Sequence, residues 1–296
     1  MRFIRKRLKN GIVVLFEKRD LPVVSFSISN RFGAAFEESK IKGIAHVIEH
    51  LLFTGTKTRS HEDISREIEK KGGILNAYTA NEVTSYWFKL PSEHLFAGID
   101  ILVDMLKNAK FDPVKFEKEK RVILEEIKMY HDRPEVDVFR LLEEKMYDKP
   151  LGEGIIGSKE TVAALKRDFV VDYFKKMYSP ENFVVTIVGD ADIDKVCRRM
   201  EKEFKPSGNK QQIKTIIKKK GDAKEERASI DQAHLVFGVH APLASEKDFA
   251  AWEVMDAYLA SGMSSRLFLK IREEKGLAYS VRSTFNTEGH YSYYTI

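Results

Sequence analysis

The chain has 296 residues, 43% of them hydrophobic, which is enough apolar material to bury a sizeable core and suggests about two domains. Lys and Arg outnumber Asp and Glu by only 50 to 45, so the +5 net charge gives no general reason to expect a nucleic acid partner. A single cysteine, Cys197, excludes an internal disulfide framework. No segment approaches the ~18 uninterrupted apolar residues of a membrane-spanning helix, so no membrane partner is expected.

The first six residues carry charge but lack the apolar stretch of a signal peptide, so a cytoplasmic location is expected. Residues 11–17 (G-I-V-V-L-F-E) and 23–32 are rich in β-branched and aromatic side chains, and the turn at Asp20-Leu21-Pro22 predicts that they are neighbouring strands. From residue 43 to 53 the pattern is helical and strongly apolar. Ser60 followed by Asp63 predicts a capping box for a helix ending at Gly72-Gly73. Residues 74–79 and 84–90 read as a second pair of strands. A helix from about Ser92 presents Leu95, Ile99, Leu102, Val103 and Leu106 to a core. Pro113 and Pro134 each open a further helix, the first running to about Tyr130. After a glycine-containing loop, residues 168–178 form an amphipathic helix, 182–188 a buried strand and 192–204 a closing helix. Strands plus a helical layer, without βαβα alternation, define an α+β domain over residues 1–205.

Residues 206–229 are polar and Lys-rich and read as a linker. With no aromatic side chain between Lys205 and Arg227 they offer no base-stacking platform, so no nucleic acid partner is expected there. Residues 230–296 predict a strand at 232–239, helices near 246–260 and 264–274, and a strand-like stretch at 277–285. That order repeats the order of residues 23–79, so the second half reads as an incomplete second copy of the first.

His46 and His50 are four apart on the apolar helix, on one face and about one turn from each other, where both imidazoles can reach one ion. Glu49 flanks the same face, close enough to act on an ion-bound water without being a ligand. The order His-x-x-Glu-His mirrors the better-known zinc motif and requires the same chemistry. A Zn2+ ion held there brings its water's pKa to ~7, and the carboxylate takes the proton as the oxygen attacks a peptide carbonyl. Ala45, Val47, Ile48, Leu51, Leu52 and Phe53 surround these groups, and two histidines and a glutamate buried among them are costly without a shared partner. One tetrahedral position needs a third ligand. In the helix from Pro113, Glu125 shares its face with Lys118, Arg121 and Lys128, a solvated stripe. Glu126 shares its face with Glu119, Val122, Ile123 and Tyr130, which makes Glu126 the better ligand and Glu119 the better supporting carboxylate.

These segments resemble the pitrilysin/insulinase family of inverzincin peptidases, which includes the mitochondrial processing peptidases. The resemblance rests on G-I-A-H-V-I-E-H-L-L-F-T-G-T (43–56), G-G-I-L-N-A-Y-T (72–79), E-K-E-K-R-V-I-L-E-E-I-K-M-Y (117–130) and S-P-E-N-F-V-V-T-I-V-G-D (179–190). It continues through S-G-M-S-S-R-L-F (261–268) and I-R-E-E-K-G-L-A-Y-S-V (271–281). It implies one zinc ion per chain, held by His46, His50 and Glu126, with Glu119 as the supporting carboxylate and Glu49 as the base. It further implies two homologous α+β halves closing around a chamber, of which only the first binds zinc. Peptide substrates are then expected to add as a strand to a sheet edge at Asn76 and Ala77, and Arg272 and Tyr279 to steady the substrate carbonyl. Short relatives imply a homodimer or pairing with a related subunit.

The competing expectations are a non-catalytic peptide-binding or scaffold subunit, and a metal-dependent hydrolase of small molecules. The first usually loses a ligand or the base, and here none is lost. The second should lack the Asn76-Ala77 edge and the Arg272/Tyr279 pair. Of the other six histidines, His61 and His131 lie beside helix ends, and His94, His234, His240 and His290 lack partner spacing; all six read as structural or surface groups.

Overall fold

The computed structural model describes residues 3–208, 215–228 and 230–296; of the expected linker, residues 209–214 and 229 lie outside the described residues. The chain divides into two compact units. One contains the described residues up to 128 and those from 154 to 208; the other contains 129–153 and the described residues from 215 onward. Both are α+β. Among the described residues no helix is long and apolar enough to cross a membrane.

In the first unit the elements are β1 (Phe3–Arg7), β2 (Val13–Lys18), β3 (Val23–Asn30), α1 (Ile44–Leu52), α2 (His61–Glu69), β4 (Ile74–Thr79), β5 (Thr84–Pro91) and α3 (Leu95–Asn108). Next comes α4 (Pro113–His131), whose last three residues belong to the second unit, and then α5 (Pro134–Met146), which lies wholly in the second. The first unit resumes with α6 (Lys159–Ala164), α7 (Arg167–Met177), β6 (Phe183–Gly189) and α8 (Ile193–Glu203). Six strands form one sheet in the order β1-β2-β6-β3-β5-β4. The expectation that residues 11–17 and 23–32 are neighbours is therefore corrected, because β6 lies between them, parallel to β2 and antiparallel to β3. The four residues that join β2 to β3 need to span only two strand spacings, about 10 Å, which an extended tetrapeptide reaches.

Alternation decides which face of the sheet is covered. Val24, Phe26 and Ile28 of β3, Tyr86, Phe88 and Leu90 of β5, and Val185 and Ile187 of β6 are buried, and they join side chains of α1, α3 and α7 in one core. Ser25, Ser27 and Ser29 alternate with them on the opposite face, where they are only half-buried. Two short elements were not expected. β1 is an edge strand whose charged side chains hide its period, and α6 is a single capped stretch, too short for helical periodicity to register.

The second unit contains β7 (Gly238–His240), α9 (Phe249–Leu259), β8 (Thr284–Thr287) and β9 (Ser292–Thr295), with the sheet order β7-β9-β8. Its strands are shorter than the expected 232–239 and 277–285, because among the described residues both outer strands pair only with β9, a strand of four residues. The expected helix at 264–274 takes a π form over Phe268–Glu274. Tyr147 packs edge-on against Tyr291, Tyr293 and His240, and the Tyr293 hydroxyl donates to Glu143 of α5 at 2.6 Å.

Gly98 sets how closely α3 approaches β5. A Cβ there would lie 2.5 Å from Phe88 Cζ, and Phe88 is fully buried and stacked on Phe26 at 5.2 Å. In an open helix Gly→Ala gains about 1 kcal/mol, but overpacking costs about 1–3. Gly98→Ala is predicted to lower stability by up to about 2 kcal/mol in urea unfolding; a higher midpoint contradicts this packing.

Candidate metal centre

Helix α1 is held at its start by a buried carboxylate. Glu37 is fully buried; its two oxygens accept hydrogen bonds from the backbone N–H groups of Gly43 at 2.9 Å and Ala45 at 2.7 Å. These are groups at the start of a helix that otherwise lack partners. The buried Lys42 ammonium lies 3.9 Å from Glu37 and donates to the Ala34 carbonyl at 2.7 Å. Gly43 enters the helix at φ +95°, and a side chain there would collide with the Ile156 carbonyl. Ile44, Ala45, Val47, Ile48, Leu51 and Leu52 are all fully buried, so α1 cannot turn about its axis without leaving the core.

On this fixed helix His46 and His50 face α4. His46 Nε2 lies 3.7 Å and His50 Nε2 3.6 Å from the same Glu126 oxygen, and His50 Nδ1 lies 3.3 Å from Glu119. Separations of 3.6–3.7 Å are long for hydrogen bonds. They are close to the roughly 3.3 Å between neighbouring ligand atoms held 2.0–2.1 Å from a tetrahedral ion. The three ligand atoms lie within 4.8 Å of one another. Glu119 and Glu126 reach the same helix because seven residues make about two turns. Glu125 is exposed and paired with Lys128 at 2.6 Å. The stripe that carries Glu126 is less apolar than expected: Ile123 is buried but Val122 is exposed, since α4 touches the core only along a narrow edge.

The electrostatics suit a cation. Burial, with His50 close by, pushes His46 down to about 4, leaving a neutral imidazole. Its Nδ1 is buried and has no hydrogen-bond partner among the described residues. Burial also opposes charge on His50, yet its hydrogen bond to Glu119 and the nearby Glu126 carboxylate raise it to about 9. Glu126, with the His50 and His46 imidazoles facing it, is held below the usual carboxylate range. Two imidazoles and one carboxylate, beside a cavity of about 380 Å³ lined in part by Glu49, His50, Phe53 and Asn76, match a three-ligand zinc site with an open position.

Glu49 lines this cavity without joining the ligand cluster, and burial raises its carboxyl. It accepts a hydrogen bond from the Thr79 hydroxyl at 2.5 Å. Thr79 was not anticipated from the sequence, although its place two residues after Ala77 puts it on the same face of β4. Asn76 and Ala77 lie on β4, the outermost strand of the sheet, and Asn76 Oδ1 accepts from the Ala77 N–H at 2.8 Å. In the second unit Arg272 and Tyr279 come together: the Arg272 guanidinium lies 4.9 Å from the Tyr279 ring and from the Phe268 ring, and Tyr279 is 87% exposed. A second group, His131, Asp137 and Glu225, is bridged by Arg227, whose guanidinium pairs with both carboxylates and already supplies the positive charge.

Residues 13–159 match the family model described as Insulinase (Peptidase family M16), and residues 164–296 match the Peptidase M16 inactive domain. A zinc protease of Bacillus subtilis, YmxG, described as uncharacterized, is 33% identical over 94% of this chain and 69% of its own length. A zinc protease of Rickettsia felis, also described as uncharacterized, is 31% identical over 97% of this chain and 72% of its own. A crystal structure of a protease from Helicobacter pylori superposes with a TM-score of 0.86 at 23% identity, covering 99% of this chain and 74% of that one. The chain belongs to the M16, or insulinase, family of peptidases. Its His-x-x-Glu-His helix lies in the part that matches the insulinase model, not in the part that matches the inactive domain.

At pH 7 the metal-free protein holds a proton on His50, whose folded value lies above neutrality, and none on His46, whose value lies below it. A cation must displace the His50 proton. Zinc uptake at pH 7 is predicted to release about one proton, and apparent affinity to fall about tenfold per unit from pH 8 to 6. Calorimetry in buffers of differing ionisation enthalpy measures both; uptake without proton release contradicts the assignment of His50.

Proposed function

We propose that the chain is a zinc-dependent endopeptidase that hydrolyses peptides or unfolded segments, with one zinc ion held by His46, His50 and Glu126. The observation that carries this reading is the convergence of those three side chains next to a fourth, Glu49, which lines the adjoining cavity. Zinc at that position supplies Lewis acidity and a water acidic enough to lose a proton near neutrality. Glu49 takes that proton and returns it to the leaving amine; burial supports this role by raising its affinity for the proton. Glu119 holds the His50 ring through Nδ1, which leaves Nε2 for the metal.

The extended peptide adds to the free edge of β4 at Asn76 and Ala77, where main-chain hydrogen bonds grip a strand of almost any sequence. Arg272 and Tyr279 supply cationic and phenolic donors for the carbonyl oxygen as it gains charge. The active form is a dimer of this chain or a pair with a related subunit, and it works in the cytoplasm.

Glu49→Gln keeps the shape of the side chain but removes its basicity. It is expected to lower peptide cleavage by at least about 10²- to 10⁴-fold while the zinc content stays at one per chain. Glu126→Gln is expected to lower the zinc content itself, by more than the roughly 10- to 100-fold in affinity that loss of an outer supporting partner costs. Elemental analysis paired with cleavage of a quenched peptide library, with and without chelator, reads both. Chelator-insensitive cleavage would remove zinc from the reaction, and an active Glu49→Gln variant would remove Glu49 as the base.

A further inference from the structure

We infer that Thr79 is a positioning residue for Glu49, fixing the base to the same strand that receives the substrate; this rests on the peptidase reading above. The hydroxyl of Thr79 donates to Glu49 Oε2 across 30 positions of sequence. Glu49 therefore has one oxygen tied to β4. Its other oxygen makes no hydrogen bond among the described residues, and the side chain borders the cavity where a peptide would lie.

The placement on β4 gives this bond its consequence. Leu75, Ala77 and Thr79 alternate with the exposed Ile74, Asn76 and Tyr78, so Ala77 and Thr79 share the face turned toward α1. Thr79 lies two residues, about 6.7 Å, beyond Ala77 along the strand. A peptide paired with the edge at Ala77 takes its position from β4, and through Thr79 the carboxylate that must meet its scissile bond takes its position from β4 as well. A glutamate side chain has three rotatable bonds and a carboxylate free of such a tie samples several rotamers, few of which face a reacting water. The β-branched threonine is itself stiff at χ1, so the tie is anchored at its strand end.

Two substitutions separate positioning from packing. Thr79→Val keeps the branched shape and strand preference but loses the donor; Thr79→Ser keeps the donor but loses the methyl group. With the full-length zinc-loaded chain and a quenched peptide substrate, Thr79→Val is expected to lower kcat about 10- to 100-fold, with KM within about twofold and the zinc content unchanged. Thr79→Ser is expected to stay within about threefold of the parent kcat. Crystal structures of the zinc-loaded parent and Thr79→Val proteins give a readout independent of activity: one Glu49 rotamer in the parent, and a displaced or multiple one in the variant. An unchanged kcat in Thr79→Val, an equal loss in both variants, or an unmoved Glu49 overturns the inference. Failure of the parent chain to cut any peptide counts instead against the peptidase reading, and the Glu49 rotamers then decide the role of Thr79 alone.

Discussion

Two imidazoles and a carboxylate enter the apolar surroundings of α1 on a helix whose other residues are almost all fully buried, and a charge shared with α4 offsets the cost of placing them there. Without metal, a proton on His50 between Glu119 and Glu126 meets that need in part, which is why its affinity for the proton is raised while that of His46 is lowered. A divalent ion meets it better, because it satisfies His46 and His50 together and adds charge opposite Glu126. The surrounding structure serves this contact. The Glu37 carboxylate fixes the start of α1, the buried face of α1 fixes its rotation, and the narrow apolar edge of α4 sets the height at which Glu119 and Glu126 arrive.

The grouping of His46, His50 and Glu126 was legible in the sequence because helical spacing shows which side chains share a face. Spacings of four residues in α1 and seven in α4 determine which side chains share a face, whatever the rest of the chain does. The same phase argument set Glu126 apart from Glu125, which the structure leaves exposed beside Lys128. The buried stripe is narrower than the helical phase implies, since Val122 is exposed; phase tells which residues share a face, not how wide a neighbouring surface covers it. Glu37 and Thr79 were illegible for a different reason. Glu37 caps α1 from six residues before Gly43, outside the usual N-cap spacing, and Thr79 finds Glu49 only after β4 has paired with β5.

Strand order shows the same division. Residues 11–17 and 23–32 were recognisable as strands by composition, but the entry of β6 between them depends on pairings more than 150 residues apart, which no local pattern records. In the second unit the stretches 232–236 and 277–283 stay outside the sheet, and among the described residues β7 and β8 pair only with β9. Apolar alternation makes a segment able to be a strand; a partner backbone makes it one.

Anomalous diffraction at the zinc edge, on crystals of the zinc-loaded protein, tests the central contact most directly. One strong peak is predicted about 2.0–2.2 Å from His46 Nε2, His50 Nε2 and a Glu126 oxygen, with a fourth position open toward the cavity beside Glu49. A peak at His131 and Asp137 instead, or zinc held by the histidines with Glu126 turned away, would contradict it.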